Sequence, residues 1–270
     1  MIDALHGLAL ALYLITAGVL ATSFAEARPV APRTGMAMLA AGLGSHLAGL
    51  IAYAITHDQL PLSGLGPALA SQSFLIGIAS LLAMITRDAR ALGLVLTPLL
   101  AFVLGAAIAA GLEPAAEPLA FRGAWFTAHV LLATAGYACL AIAFAAGLLY
   151  LLQFRALKGK LFGRVFRYFP ALEPLDRIGW LAALVGLPAL TVGLGLGWAW
   201  TLRYRQSLAT GDPQVIWGMV TWVVFASVLL ARTGPSRERR GAVASVVGFG
   251  VVVASYLALR FFLTAGRGFL

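Results

Sequence analysis

The fold class this sequence predicts is all-α: a polytopic integral membrane bundle of about eight helices. Three observations carry that prediction. Hydrophobic residues make up 61% of the 270 residues and charged residues only 11%, against roughly 25% charged in soluble domains. So few polar residues cannot cover a soluble core of this size, and the mean hydropathy is +0.93. The apolar residues also fall into stretches of about 20, the length that crosses a bilayer core as a helix. Each span must close its backbone hydrogen bonds internally in lipid, and the alternating ten-residue segments of a barrel are missing.

The stretches run in order at 3–24, 34–56, 67–86, 91–111, 125–153, 178–200, 214–231 and 241–263, within one membrane domain spanning 1–270. The first lacks the basic leader and small-residue cleavage site of a secretory signal, and is expected as a retained span. The second carries His46 near its middle, and the third carries Ser71-Gln72-Ser73. That trio suits either a polar cavity wall or hydrogen bonds between helices. Between the fifth and sixth stretches, 154–177 is basic and contains Pro170 and Pro174. It is expected as a cytoplasmic connection with a short interfacial helix, since Leu161, Val165, Phe166 and Phe169 are apolar at helical spacing. An aromatic external loop is expected at 198–213, after which Asp212-Pro213 opens the seventh helix.

The net charge of +9 would suggest nucleic acid in a soluble protein. Here the basic residues lie between apolar stretches and read as topology signals. Arg122, Arg203, Arg205, Arg260 and Arg267 stand on one side, and the other fourteen of the nineteen Lys and Arg on the opposite side. Cytoplasmic loops carry the Lys/Arg excess, which places both termini outside. The single Cys139 lies in an apolar run, where packing is its expected role. Among carboxylates, Asp58, Glu113, Glu117 and Asp212 fall at the outer surface and none mid-span, which argues against a proton-coupled pump. No broken-helix pair marks a solute transporter.

Of the four histidines, His6, His57 and His129 fall near outer helix ends, and His46 alone sits mid-span. Histidine within a span is a functional hypothesis by default. Gly42, His46, Gly49 and Tyr53 share one helical face, so close packing and ligation both remain open for His46.

Several motifs carry a family resemblance. Trp125-Phe-Thr-Ala-His129, Gly136-Tyr137, Tyr150-Leu-Leu-Gln153, Gly179-Trp180, Gly195-Leu-Gly197, Asp212-Pro213, Trp217, Thr221-Trp222 and Arg239-Arg240-Gly241 appear in that order. Together they resemble the bacterial cytochrome c assembly family, the CcsA/CcmC/CcmF type of haem-handling protein, with its shorter YpjD-like relatives the best fit. The resemblance implies a multi-pass protein of the bacterial inner (cytoplasmic) membrane that supports haem b at its outer face, between axial histidines and beside a tryptophan-rich loop. Carried onto this chain, His129 matches the external ligand, and His57, His6 and His46 are the candidates for its partner. Trp198, Trp200, Tyr204, Asp212, Pro213, Trp217 and Trp222 would form the platform, and Arg203 and Arg205 suit haem propionates. Headgroup phosphates suit those two arginines equally.

The sequence departs from the family pattern before Asp212-Pro213, where Tyr204 is the only aromatic between 202 and 211, and after it, where Gln214-Val215 replaces Lys-Glu. Leu230 stands where a histidine is expected, and no histidine follows His129. Two functions fit these residues. One is a non-enzymatic haem-handling or cytochrome c assembly factor. The other is a haem-free paralogue acting as a partner subunit of another membrane protein. The expected partners are the lipid bilayer, haem and a second membrane protein, with no nucleic acid.

Overall fold

The computed structural model describes residues 1–26, 32–86, 88–114, 123–161, 163–205, 213–233 and 236–258. Among them are nine α-helices: α1 Ile2–Glu26, α2 Pro32–His57, α3 Leu65–Ile85, α4 Gly93–Ala110, α5 Ala124–Lys158, α6 Arg164–Tyr168, α7 Leu172–Arg205, α8 Pro213–Leu230 and α9 Arg237–Ala258. Six of these, α1 to α5 and α7, are long and apolar enough to cross a membrane. The last two expected spans fall outside that set. The apolar part of α8 is only Val215–Leu230, and α9 opens with Arg237, Glu238, Arg239 and Arg240.

Two expected boundaries are corrected. Helix α5 runs 35 residues to Lys158 and α7 runs 34 residues from Leu172, so the connection expected at 154–177 narrows to 159–171. The loop expected from residue 198 is instead helical as far as Arg205. Hydropathy marks where a helix leaves the apolar layer, not where it ends. No Gly or Pro interrupts 154–158 or 198–205, and Leu, Arg and Lys are good helix formers. α5 stops only at Gly159, where the Gly159 N–H donates to the Arg155 carbonyl and Lys160 turns to φ 54°. The short helix expected in this connection is α6. Behind it Phe169 is buried and stacks on Phe24 of α1 at 5.5 Å.

The bundle has two groups, α1–α4 and α5 with α7–α9, joined where α3 packs on α5. The polar trio of α3 makes hydrogen bonds between segments. Ser73 Oγ donates to the Leu100 carbonyl of α4 at 2.8 Å, and Ser71 Oγ to the Pro61 carbonyl at 2.6 Å. With its amide oriented to satisfy both groups, Gln72 donates to the Thr134 carbonyl of α5 at 3.1 Å and accepts from Ala138 N at 3.2 Å. Gln72 thereby ties the two groups together.

The most extensive helix pairing is the antiparallel one between α5 and α7. Its closeness depends on small residues: a Cβ at Gly193 would lie 3.1 Å from Ala133 N, and one at Gly136 3.1 Å from Leu190 Cβ. Gly193 and Gly197 form a Gly-x-x-x-Gly pair of the kind that lets apolar helices approach backbone to backbone. The Gly42, His46, Gly49, Tyr53 face of α2 is the one pressed on α1. Tyr13 seats on Gly42 and His6 on Gly49.

Candidate functional site

His129 lies on the α5 face that meets α7. Its Nδ1 is 2.6 Å from the Gly193 carbonyl. A carbonyl can only accept, so Nδ1 carries the proton and Nε2 keeps its lone pair. No hydrogen bond engages Nε2 among the described residues. The ring lies flat enough on α7 that a Cβ at Gly197 would sit 2.5 Å from Cε1 and 2.7 Å from Nδ1. One turn earlier, Trp125 Nε1 donates to the Leu196 carbonyl at 3.0 Å, holding the end of α5 on α7. Phe126 stands beside the imidazole, 6.3 Å between ring centres, and 6.1 Å from the buried Trp200. This is the arrangement of a preorganised ligand: one ring nitrogen anchored to the protein, the other without a hydrogen bond among the described residues.

The structure brings a second pair of histidines together. His6 and His46, both buried, have ring centres 5.2 Å apart at an interplanar angle of 73°. His6 Nδ1 donates to the Ile2 carbonyl at 2.9 Å, and His46 Nδ1 is 3.1 Å from the Tyr13 hydroxyl. The Nε2 atoms of both rings are buried without a hydrogen-bond partner. Phe74 of α3 closes over His46 at 5.4 Å. Because Phe74 meets His46 while Gln72 meets Thr134 and Ala138, the pair sits more than a turn deeper along the bundle than His129. His6 does lie near the end of α1, as expected, but its ring is buried against His46, which corrects the expectation that His46 alone sits at its depth. Position along a single helix does not fix depth here, because the α1 and α2 ends are staggered and Gly49 lets His6 reach in.

His57 stays apart. Its ring meets Tyr53 of its own helix at 4.6 Å and a tilt of 52°, and makes no ring contact with His129 among the described residues. Its helix packs on α1 and α3, whereas α5 packs on α3, α7 and α9. Nor do the tryptophans form one continuous wall. Trp198 and Trp200 are two residues apart on α7 and face opposite ways, 53% and 7% exposed. Trp217 is clasped between Tyr137 at 4.7 Å and Tyr256 at 5.4 Å, and its Nε1 donates to the Val252 carbonyl at 3.1 Å. Trp222 Nε1 donates to Thr191 Oγ1 at 2.9 Å. Arg203 is exposed. Asp212, and the side chains of Tyr204, Arg205 and Pro213, lie outside the described residues.

Sequence reasoning missed the role of Arg232, counted there only as a topology signal. At the opposite end of α7 from His129, its side chain is 8% exposed and pairs with Asp176. Its guanidinium also lies 5.7 Å from the centre of the Trp180 ring. Gly241 and Gly179 make room, since a Cβ there would come within 2.7 and 3.1 Å of the side chain. The signal was present in the quoted motifs: Gly179-Trp180 and Arg240-Gly241 form the two sides of this cradle.

A helical bundle with six membrane-crossing candidates defines a polytopic membrane protein, with the anchored His129 imidazole and the buried histidine pair as its candidate ligand-binding groups. Comparison with known proteins is more specific. A model of the family described as Cytochrome C assembly protein matches residues 35–265. This chain belongs to that family. It is 37% identical over 89 residues to the cytochrome c biogenesis protein CcsA of Synechococcus elongatus, an alignment covering 33% of this chain and 27% of that protein. The corresponding CcsA of Guillardia theta is 31% identical over 164 residues, 54% of each chain. That of Chlamydomonas reinhardtii is 31% identical over 148 residues, 54% of this chain and 41% of the relative. The chain thus spans about a quarter to a half of the length of these curated relatives.

Proposed function

We propose that this chain handles haem in cytochrome c assembly, presenting it at the outer face of a bacterial inner membrane with His129 Nε2 as an axial ligand. One observation carries the reading: the Nδ1–Gly193 bond fixes the His129 lone pair beside Phe126 and Trp200, with no hydrogen bond to it among the described residues. Haem b is cargo in this reading, and supplies the iron porphyrin that a cytochrome requires. The chain's own residues bind and orient it without turnover chemistry. Imidazole suits iron, and aromatic rings suit a porphyrin edge. The same cofactor does not fit between His6 and His46. With iron–nitrogen bonds of about 2 Å on opposite faces, two trans imidazoles have ring centres roughly 6 Å apart with the macrocycle between them. Those rings are closer, and Phe74 and Tyr13 pack against His46.

The topology belongs to this proposal as well: α8 and α9 complete eight spans, both termini lie outside, and the chain is a YpjD-like member of the family. Its partner is another membrane protein of cytochrome c assembly. A second reading, a haem-free subunit docking on such a partner, draws support from Trp125, Trp217 and Trp222. Their indole N–H groups are all engaged between helices. Cells lacking the chain should lose c-type cytochromes several-fold, measured by haem staining of their membranes. Wild type restores the level and His129→Ala does not. Unchanged cytochromes in the deletion contradict the assembly role. Restoration by His129→Ala favours the haem-free subunit.

A further inference from the structure

We propose that the C-terminal end of α5 and the adjoining α6 form a docking surface for an anionic phospholipid, held through its phosphodiester headgroup. This surface lies at the opposite end of α5 from His129, so it stands apart from haem binding there. Five basic residues, Arg155, Lys158, Lys160, Arg164 and Arg167, fall within thirteen positions, and all five are exposed. No Asp or Glu occurs between Glu117 and Glu173. On neighbouring elements Asp176 pairs with Arg232 and Glu238 with Arg237. Glu26 at the end of α1 and Glu173 at the start of α7 point to no other balance: both are exposed, and among the described residues neither pairs with any of the five. The five charges therefore lack a counter-charge within the chain, and a phosphodiester supplies one.

Membrane topology needs positive charge on a connection but no fixed arrangement of it. Here the arrangement is fixed. Leu152, Arg155 and Lys158 recur every third residue on one face of α5, so an apolar side chain leads into two cations along the helix. Beyond α5 the chain folds back on it: Lys160 N donates to the Leu157 carbonyl at 3.1 Å, and Leu161 N to the Ala156 carbonyl at 2.8 Å. Next, α6 turns Arg164 and Arg167 outward, three residues apart. It is anchored by Tyr168, whose ring meets Phe24 of α1 at 5.4 Å, and by the buried Phe169, stacked on the same ring. Leu152 and Leu161 remain 40% and 62% exposed beside these cations. Inorganic phosphate has no use for the leucines, whereas a lipid covers both, with acyl chain on the leucines and headgroup on the cations.

The test titrates the full chain in detergent with phosphatidylglycerol and, separately, with phosphatidylcholine, and reads the first bound lipid by native mass spectrometry. Wild type should bind the anionic lipid about tenfold more tightly or better, and keep it in excess inorganic phosphate. The triple variant Lys158→Gln/Arg164→Gln/Arg167→Gln should lose about tenfold or more, since each basic residue at an anionic surface contributes roughly fivefold. Arg33→Gln/Arg203→Gln/Arg237→Gln removes equal charge elsewhere and should change the affinity by less than about twofold. The lipid preference and the phosphate competition are read on wild type alone, so a poorly folding variant leaves the question decidable. Equal affinity for the two lipids overturns the proposal, as does an equal loss in both triple variants. Displacement of the lipid by inorganic phosphate would mark a site for free phosphate and overturns it too.

Discussion

Replacing Gly197 with valine should weaken haem binding by about tenfold to a hundredfold, the range seen when the outer-sphere partner of a metal-bound histidine is lost. The same change at Gly195 should leave it unaltered. Both glycines lie on α7 two residues apart, and both substitutions change helix propensity alike. They differ only in what the new side chain meets. At Gly197 a Cβ falls 2.5 Å from the His129 ring, whereas nothing lies within 4 Å at Gly195. The imidazole must swing away from α7 and surrender the 2.6 Å bond to the Gly193 carbonyl. Nδ1 and Nε2 then compete for the proton, and the lone pair loses its fixed direction. Hemin titration of the two variants, followed in the Soret region, measures the difference. Equal affinities would mean that α7 does not position His129.

A second large effect is expected at the other end of α7. Asp176→Ala should destabilise the protein by about 3 kcal/mol, because it leaves a buried guanidinium without its counter-charge. The Arg232 side chain is 8% exposed and that of Asp176 25%, so the arginine bears most of the desolvation. Arg232→Met should cost less, since it removes the buried charge and leaves a carboxylate with some access to water. The double substitution should recover much of the loss from Asp176→Ala, as apolar replacements of buried pairs commonly do. Unfolding by SDS in mixed micelles gives all three values, and the coupling follows from the double-mutant cycle. If the single costs are equal and below about 0.5 kcal/mol, the pair behaves as a surface ion pair.

The positions of the helices were legible because burial in lipid makes hydropathy nearly sufficient. Among the described residues each apolar stretch overlaps a helix, and six of the eight overlap helices long and apolar enough to cross a membrane; 259–263 of the last stretch lies outside the described residues. Helix ends were less legible. Trp198 to Arg205 looked like a loop for its aromatic and basic side chains, yet no residue there breaks a helix. The family motif led to His129, and the structure adds what spacing could not supply: the Gly193 carbonyl that sets its tautomer and the Gly197 surface that receives its ring. Phe126 stood inside the quoted motif but went unremarked, since only the fold shows it between His129 and Trp200. The His6–His46 pair was invisible because two histidines forty residues apart meet only through the stagger of antiparallel helices. Its sole trace was the glycine-lined face of α2. Arg232 was hidden by its charge, which in a membrane sequence is read first as a topology signal.

The account rests on His129 as a haem ligand, and the most direct measurement is the visible spectrum of hemin-loaded protein in detergent, oxidised and then dithionite-reduced, beside His129→Ala. The account predicts a Soret band in wild type with sharp reduced α and β bands, lost or shifted in the variant. A wild-type spectrum indistinguishable from hemin in detergent, or one unchanged in His129→Ala, would contradict it.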